Sequence, residues 1–333
     1  MKALASSLLA GAGLPAFFRR RNRRRLPILM YHGIVERRLS PECWHQLDVA
    51  TFRRQLEWVA RHYRVWALED ALARWAAGTL PERSLAITFD DGYRNNLELA
   101  APILEELRTP ATVFLVTDLV GTAEVPWPDR IYLALARTRV PVVTSTPLAL
   151  DRARLLTDED RADAYVRAVR AAKTLPRLER EAAVRGLLAE LNQEGPLDPG
   201  PFRMLSWDDV RALTASGLVT VASHTRTHPI LSRATDDEVE AEVGSAHEAL
   251  SRATGRTPRV MAYPVGRRID YDARSIAAVA RAGIPFALTT VEGLAGPGSD
   301  ARELPRLSIG ADLAFSRFQL LVSGALLALR GPR

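Results

Sequence analysis

Two short segments of the chain carry side chains that together could hold a metal ion and activate water. The first, "LAITFDDGY", places Asp90 and Asp91 directly after an apolar run, and the second, "VASHTRTH", places His224 and His228 four residues apart. Two histidines and one carboxylate give a divalent metal three ligands and leave positions open for water and substrate. The other carboxylate can accept a proton from water whose pKa the metal has lowered. Asp-Asp-Gly alone is common in turns, but the two segments together indicate a hydrolytic site.

The residues around these motifs predict strands that alternate with helices. Amphipathic helices are predicted at Thr51–Ala60 and Ser206–Gly217, between short apolar runs typical of buried strands. This repetition predicts a mostly parallel α/β sheet, either open or closed into a barrel, whose carboxyl edge would bring the two motifs together. The predicted strands are Pro27–His32, Leu85–Phe89, Ala111–Val116, Leu218–Ser223, Arg259–Tyr263 and Pro285–Thr290.

Breaks in this pattern divide the chain into segments. An Arg/Glu/Ala-rich stretch, Asp151–Gln193, predicts a long helical region, which we interpret as a helical insertion at about 125–200. A separate small domain is the alternative. The predicted organisation is an N-terminal segment at 1–25, a catalytic domain at 26–310 that contains the insertion, and a C-terminal amphipathic helix at 311–333.

The excess of positive charge in the chain comes from one short segment. The net charge is +6, and "RRRNRRR" at Arg19–Arg25 contains six arginines, so the rest of the chain is neutral. A nucleic-acid-binding protein would spread its basic residues over a groove-facing surface, so nucleic acid is not an expected partner. The single cysteine, Cys43, cannot form an internal disulfide and is expected to be inert.

Apolar segments lie at both ends of the chain. Sixteen uncharged residues, Ala3–Phe18, precede the arginines, which reverses the order found in a secretory signal peptide. Residues 1–25 are therefore expected to lie on a membrane surface with the arginines on anionic headgroups, which predicts a peripheral protein at the cytoplasmic face. A disordered tail and an exported protein are the alternatives. Phe315–Leu329 predicts an amphipathic helix, either packed on the barrel or in a second membrane contact.

The motifs resemble those of a known family. "TFDDGY" and "SHTRTH" are similar to the first two signature motifs of the polysaccharide deacetylases, the NodB-homology or carbohydrate esterase family 4 enzymes, and the resemblance extends from about 27 to 307. It implies a distorted (β/α) barrel with fewer than eight full units and metal-dependent removal of N- or O-acetyl groups from glycans. By this resemblance, Asp90 is the general base, and Asp91, His224 and His228 bind the metal, usually zinc, with iron, cobalt and nickel also suited to such ligands.

The sequence departs from the family pattern at three places. The third motif has Ala262 where the family carries an arginine that orients the catalytic aspartate, the fourth motif is unrecognisable, and no histidine follows His247 to serve as general acid. A branch of the family with a "YPxG" third motif keeps an early "YH", which makes His32 the candidate acid. A hydrogen-bonded structural histidine is the alternative. Arg306 in "LPRL" is a weaker candidate for a contact with substrate or with Asp90.

Further side chains are expected around the substrate. Tyr263 and Pro264 belong to the third motif, and the backbone N–H of Tyr263 or a near neighbour is expected to stabilise the oxyanion. The aromatic residues that could stack on sugar rings are Trp44, Tyr93 and Trp127. The histidines expected to be solvated are His45, His62 and His247.

Three functions are consistent with these residues. The leading interpretation is a metal-dependent hydrolase that removes acetyl groups, N-acetyl before O-acetyl, from a polysaccharide or lipid-linked saccharide, as in exopolysaccharide synthesis. The second is an inactive relative that binds glycan or scaffolds a synthesis complex, because the family arginine and late histidine are missing. The third treats Asp91, His224 and His228 as the site of a non-haem iron oxygenase, although the adjacent Asp90 favours water activation.

Overall fold

Seven parallel strands close into a barrel at the centre of the molecule, for which a computed structural model describes residues 2–193, 195 and 197–330. Met1, Glu194, Pro196 and residues 331–333 lie outside the described residues, together with the parts of the predicted terminal segments and insertion that fall on them. The strands, in chain order, are β1 (Ile28–Tyr31), β2 (Gly33–Val35), β3 (Gln46–Asp48), β4 (Arg64–Val65), β5 (Ser84–Phe89), β6 (Ala111–Leu115), β7 (Val142–Ser145), β8 (Leu150–Arg154), β9 (Val219–Ser223), β10 (Val260–Ala262), β11 (Phe286–Glu292) and β12 (Leu304–Ser308).

The barrel closes because β1 has a partner on each side. Leu29 of β1 is in register with Leu307 of β12 on one side and with Ile87 of β5 on the other. The order around the ring is β1, β12, β11, β10, β9, β6 and β5, and β4 pairs with the first residues of β5. The predicted α/β fold class, a distorted (β/α) barrel, is therefore confirmed, and the sheet is closed and not open.

The apolar composition of the barrel strands reflects burial on both faces. All six residues of β5, "SLAITF", are buried, because the barrel interior covers one face and the surrounding helices cover the other. The six strands predicted from apolar runs are all present, within two residues of their predicted bounds. The seventh, β12, escapes prediction because Pro305 and Arg306 interrupt its apolar pattern.

Helices surround the barrel and occupy both ends of the chain. The helix predicted at Thr51–Ala60 is present and extends two residues further in each direction. Ser206 begins another predicted helix through a reciprocal capping box with Asp209. The helices are α1 (Lys2–Gly11), α2 (Leu14–Arg21), α3 (Val49–His62), α4 (Leu68–Ala76), α5 (Ala101–Glu106), α6 (Trp127–Arg137), α7 (Asp158–Ala172), α8 (Arg177–Glu190), α9 (Trp207–Thr214), α10 (Asp236–Thr254), α11 (Ala273–Arg281), α12 (Phe315–Val322) and α13 (Ala325–Arg330).

The insertion combines three helices with a small hairpin. Asp151–Arg154 belongs to β8, which pairs antiparallel with β7, so the helix predicted from Asp151 is wrong over these residues. Helices α6, α7 and α8 pack around a hydrophobic cluster of their own, which reaches the barrel through Tyr93 and Phe202. The insertion thus has a separate core and still contacts the strand ends of the barrel.

The two ends of the chain pack against each other beside the barrel. Helix α1 lies against α12, and the side-chain amide of Asn22 donates a hydrogen bond to the backbone carbonyl of Ser323 at 2.9 Å. On the predicted apolar face of the C-terminal segment, Phe318 and Val322 are buried and Leu329 is exposed. Within the described residues, no helix is long and apolar enough to cross a membrane.

We predict that the C-terminal segment contributes to the stability of the barrel. Phe318 is fully buried in the main core, so Phe318→Ala should lower the free energy of unfolding by about 3–5 kcal/mol in urea titrations. Leu329→Ala, at an exposed position of α13, is the control and should change it by less than about 0.5 kcal/mol. If Phe318→Ala lowers the free energy of unfolding as little as Leu329→Ala does, α12 is not part of the core.

Candidate metal centre and active site

The two motifs meet at the carboxyl ends of neighbouring barrel strands. Asp90 and Asp91 follow β5, and His224 follows β9, with β6 between them in the sheet. Backbone hydrogen bonds continue the ladder past the strand ends, since the N–H of Asp90 donates to Tyr31 and the N–H of His224 donates to Leu115, both at 2.9 Å. The strand order therefore converts two distant sequence segments into one cluster.

Asp91, His224 and His228 form a compact set of potential metal ligands. Oδ1 of Asp91 lies 3.6 Å from Nε2 of His224 and 3.4 Å from Nε2 of His228, and one donor atom from each residue lies within 4.8 Å of the others. The Nδ1–H of His224 donates to the carbonyl of Ala262 at 2.9 Å, which leaves Nε2 free to bind a metal. Oδ1 of Asp91 is buried and has no hydrogen-bond partner in the described part of the chain. These residues fit a divalent cation.

The protonation states of Asp91, His224 and His228 indicate which of them must lose a proton when a metal binds. Burial, together with the charges of Asp129 and Asp90, raises the pKa of Asp91 to about 8. Burial lowers the pKa of both His224 and His228 below the usual range, so their imidazoles are neutral at neutral pH. Neutral histidine is already in the ligand form, whereas Asp91 must lose a proton to bind a cation.

Unusual backbone conformations aim the ligands into the site. Asp91, Thr225 and His228 have φ of 74°, 66° and 61°, which lie in the left-handed region. The conformational energy of this region is highest for a β-branched residue such as Thr225. The buried carboxylate of Glu242 offsets this strain, because it accepts hydrogen bonds from the backbone N–H groups of Arg226 and Thr227 at 2.9 and 2.8 Å. Glu242 on α10 therefore holds the loop between the two histidines in place.

Gly92 is required by both conformation and space. Its φ is 85°, and a Cβ added there would lie 2.6 Å from the side chain of Leu115. A larger residue would be strained at this φ and would also require the Leu115 side chain to shift.

A buried ion pair orients the second aspartate. Nη1 and Nη2 of Arg306 each donate to one oxygen of Asp90 at 2.7 Å, and the Nε–H of Arg306 donates to the carbonyl of Thr289 at 2.9 Å. Burial would raise the pKa of Asp90, but the guanidinium of Arg306 holds it well below the usual range, so the carboxylate is charged. Arg306 thus makes the contact that the third motif lacks at Ala262. The alternative role of Arg306 in substrate binding is wrong, because its side chain is fully buried behind Asp90.

His32 lies in the same pocket as the two aspartates. Its ring packs edge-to-face on Trp44, and its Nδ1 is buried without a hydrogen-bond partner among the described residues. Burial, opposed by Asp90 and reinforced by His45 and Arg306, lowers the pKa of His32 to about 3. The imidazole is therefore neutral at neutral pH, so it must first accept a proton before it can donate one.

A second hydrogen-bonded chain supports Asp91 from the insertion side. Oη of Tyr93 lies 2.9 Å from Oδ2 of Asp91 and 2.7 Å from Oδ2 of Asp129, whose other oxygen lies 2.9 Å from Nε2 of His45. The hydroxyl of Tyr93 has one proton and can donate it to only one of the two carboxylates. The other contact is a hydrogen bond only if that carboxyl group carries a proton, which agrees with a protonated Asp91. Burial opposes a charge on His45, but Cys43 and the hydrogen bond to Asp129 raise its pKa well above the usual range.

Two expectations from the sequence fail at this network. Tyr93 is buried and holds Asp91, so its ring cannot stack on a sugar. His45 is buried and paired with Asp129, so the prediction of a solvated side chain is wrong. His247 is also buried, on α10, and His62 is half-buried with its ring against Trp58.

Three further substrate contacts predicted from the sequence are not formed at the pocket. Trp127 is buried in the core of the insertion, beneath the guanidinium of Arg180, although its neighbours Pro126 and Pro128 line the pocket. Tyr263 is buried against Tyr271, and its backbone N–H donates to Leu288, so that N–H cannot stabilise an oxyanion. Pro264 is buried as well and does not line the pocket.

The site opens into one cavity of about 270 Å³ between the barrel and the insertion. Trp44 lines it and is 42% exposed, which leaves its ring available to a sugar. Residues that the sequence analysis did not single out also line it, although Val265 belongs to the "YPxG" motif and Thr290 ends a predicted strand. These are Met30, Asp129, Tyr165, Val169, Lys173, Val265, Arg267, Thr290 and Ser308.

Comparisons with known proteins identify the same family that the motifs resemble. A family model described as polysaccharide deacetylase matches residues 77–287. The poly-β-1,6-N-acetyl-D-glucosamine N-deacetylase of Staphylococcus aureus is 33% identical over 78 residues, which are 23% of this chain and 27% of that relative. This chain therefore matches about a quarter of the relative's length.

Two solved structures share the fold. IcaB from Ammonifex degensii aligns with a TM-score of 0.59 at 18% identity and covers 90% of this chain and 97% of its own. The Streptococcus pyogenes deacetylase PplD, solved with acetate, aligns with a TM-score of 0.57 at 19% identity and covers 92% of this chain and 99% of its own. At such identities the similarity establishes the barrel and no more.

We predict that metal binding releases a proton at neutral pH. Because the pKa of Asp91 is raised to about 8, the apparent metal affinity should fall about tenfold for each pH unit below that value. Calorimetric titration of the metal-free protein with Zn²⁺, in buffers of different ionisation enthalpy at pH 7, should show about one proton released per ion. His228→Ala should abolish binding, and Asp208→Asn, an exposed substitution, should not. Binding without proton release would contradict the raised pKa.

Proposed function

The chain belongs to the polysaccharide deacetylase family, and we propose that it is a metal-dependent hydrolase that removes N-acetyl groups from a saccharide. The observation that carries this proposal is the meeting of the Asp91, His224 and His228 triad with the charged Asp90 in one cavity. The alternative of an inactive relative rests on the missing family arginine and late histidine, and Arg306 supplies a guanidinium to Asp90 from another strand.

The residues of the triad would hold one divalent ion, for which we propose zinc. When bound, such an ion polarises an acyl carbonyl and lowers the pKa of water. Two imidazoles and one carboxylate also suit iron, cobalt and nickel, so the choice of zinc rests on the family resemblance.

Asp90 is the residue suited to take a proton from water. It carries a full charge, its carboxylate is fixed by two hydrogen bonds from Arg306, and its Oδ2 lies 3.9 Å from Nε2 of His224. A base held in this orientation does not have to reorganise during the reaction. The low pKa that Arg306 imposes keeps Asp90 unprotonated in the resting site.

Two other groups line the cavity where the acetyl group would react. The backbone N–H of Val265 has no acceptor among the described residues and lies two residues after the predicted donor Tyr263, so we assign it to the oxyanion. The neutral imidazole of His32 can accept a proton and then pass it to the leaving amine, which is the role left open by the missing late histidine.

We predict that Asp90→Asn removes activity and leaves metal binding intact. Without the carboxylate, kcat for acetate release from N-acetylglucosamine oligomers should fall by about 10²–10⁴-fold, because general-base catalysis is lost. Metal content should stay at that of the wild type, because Asp90 is not in the triad. Asp208→Asn is the matched control.

The same assay separates the alternative functions. Acetate release that persists under anaerobic conditions excludes an oxygenase. A wild type that binds metal and releases no acetate from oligomers or from lipid-linked N-acetylhexosamine would instead support an inactive glycan-binding relative.

We also propose that the paired chain ends attach the protein to an anionic membrane surface at the cytoplasmic face. Helices α1 and α2 are fixed to the barrel through α12, and they leave both apolar and basic side chains exposed. A helix of ten residues is about 15 Å long, too short to span a bilayer and long enough to lie on one. The exposed large apolar and basic residues of these helices are Leu8, Leu9, Phe17, Arg20 and Arg21, and the exposed Arg23, Arg24 and Arg25 follow α2.

We predict that binding to vesicles depends on these residues. In sedimentation assays the protein should bind phosphatidylglycerol vesicles, bind phosphatidylcholine vesicles weakly, and be released by salt. Replacement of Arg20, Arg21 and Arg24 by Gln should weaken binding by about 1 kcal/mol for each arginine. Arg252→Gln, at an exposed position on α10, is the control. Equal binding to both kinds of vesicle would refute the proposal.

A further inference from the structure

Two cationic side chains from different elements line the cavity beside the metal triad. Lys173 lies directly after α7 of the insertion, and Arg267 lies in the loop after β10. Tyr165, Val169 and Lys173 recur at intervals of four residues, so they lie on one side of α7 and together form a wall of the cavity. The side chain of Lys173 is half-buried.

The positive charge of this pair is not balanced within the cavity. Nε of Arg267 lies 3.0 Å from Oδ2 of Asp270, which accounts for one of the two cations. Lys173 has no hydrogen bond or ion pair from its ammonium to any residue that the structure describes. Lys173, Arg267 and Asp270 together therefore carry one net positive charge at the cavity wall.

The carboxylates elsewhere in the cavity already have other partners. Asp90 is paired with Arg306, Asp129 with His45 and Tyr93, and Asp91 belongs to the metal triad. None of them is free to neutralise Lys173. Burial lowers the pKa of Lys173, the charge of Arg267 lowers it further, and the charge of Asp270 opposes both.

The use of lysine at this position is itself unusual in this chain. Lys2 and Lys173 are the only lysines among 45 basic residues, so arginine is the ordinary cation of the sequence. An ammonium is a compact charge with three donors, and it suits a tetrahedral or carboxylate oxygen group that approaches from one side.

We propose that Lys173 and Arg267 form an anion-binding subsite, which selects an acetylated saccharide that carries a phosphate or carboxylate group. This inference rests on the proposed deacetylase function and specifies its substrate class. Asp270 holds Arg267 in place, since its carboxylate accepts hydrogen bonds from the Nε–H and from the backbone N–H of Arg267, both at 3.0 Å. Nη1 of Arg267 remains without a partner among the described residues. The anion would bridge this guanidinium and the ammonium of Lys173.

The test compares three probes that differ in charge. N-acetylglucosamine 1-phosphate carries a phosphate, N-acetylmuramic acid carries a carboxylate, and methyl N-acetylglucosaminide is neutral. Dissociation constants are measured by calorimetry on the full-length protein, and acetate release is measured in parallel. We expect at least one anionic probe to bind about tenfold or more tightly than the neutral one, with the phosphate and carboxylate arms showing which anion is preferred.

Variants assign the preference to the subsite. Lys173→Met should remove most of the difference between anionic and neutral probes and leave the binding of the neutral probe unchanged. Lys173→Arg should retain the difference in affinity between the anionic and neutral probes. It should also retain acetate release, which would be lost if Lys173 transferred a proton to the leaving amine. Arg252→Met is the control for a loss of surface charge, and thermal unfolding confirms that each variant is folded.

Failure of this inference and failure of the proposed function give different results. Equal affinity of the wild type for all three probes, or a preference that survives Lys173→Met, overturns the subsite. A preference for an anionic probe that depends on Lys173 supports the subsite even when none of the probes releases acetate, because binding is measured independently of turnover.

Discussion

The contact between Arg306 and Asp90 joins the last strand of the barrel to the residue that follows β5. Both side chains are buried, so each requires the other, because an unpaired charge at this depth would cost several kcal/mol. The pair spans β1, which lies between β12 and β5 and closes the ring. The closed barrel therefore places the guanidinium that keeps Asp90 charged, and the last strand in the sequence completes the site.

Adjacent residues of one turn are held in opposite protonation states by different neighbours. Asp90 faces a guanidinium, and Asp91 faces the hydroxyl of Tyr93 with the carboxylate of Asp129 behind it. The result is one charged carboxylate next to one that holds a proton until a cation replaces it. This separation suits two chemically identical side chains, side by side in the sequence, to the proposed roles of base and metal ligand.

Periodicity and motif spacing predicted the parts of this protein that depend on local patterns. The six apolar strands, the capped helix after Ser206 and the grouping of Asp90, Asp91, His224 and His228 follow from strand ends that share one edge. Side-chain direction could not be predicted in the same way. Trp127 lies between two residues that line the cavity and points into the core of the insertion, and His45 is buried because a partner 84 residues away accepts its hydrogen bond. Likewise, β12 was missed because the arginine that interrupts its apolar pattern is the one that pairs with Asp90.

The insertion has its own hydrophobic core, and it supplies one wall of the cavity through residues spaced four apart on α7. Asp90, Asp91, His224 and His228 follow barrel strands, whereas Tyr165, Val169 and Lys173 belong to a unit with a separate hydrophobic cluster. Under the proposed function, substitutions on that face of α7 would change which saccharide is accepted without altering the charges around Asp91, His224 and His228. With the proposed hydrolytic groups and this wall on separate cores, selection for a different substrate would not require a change in the barrel.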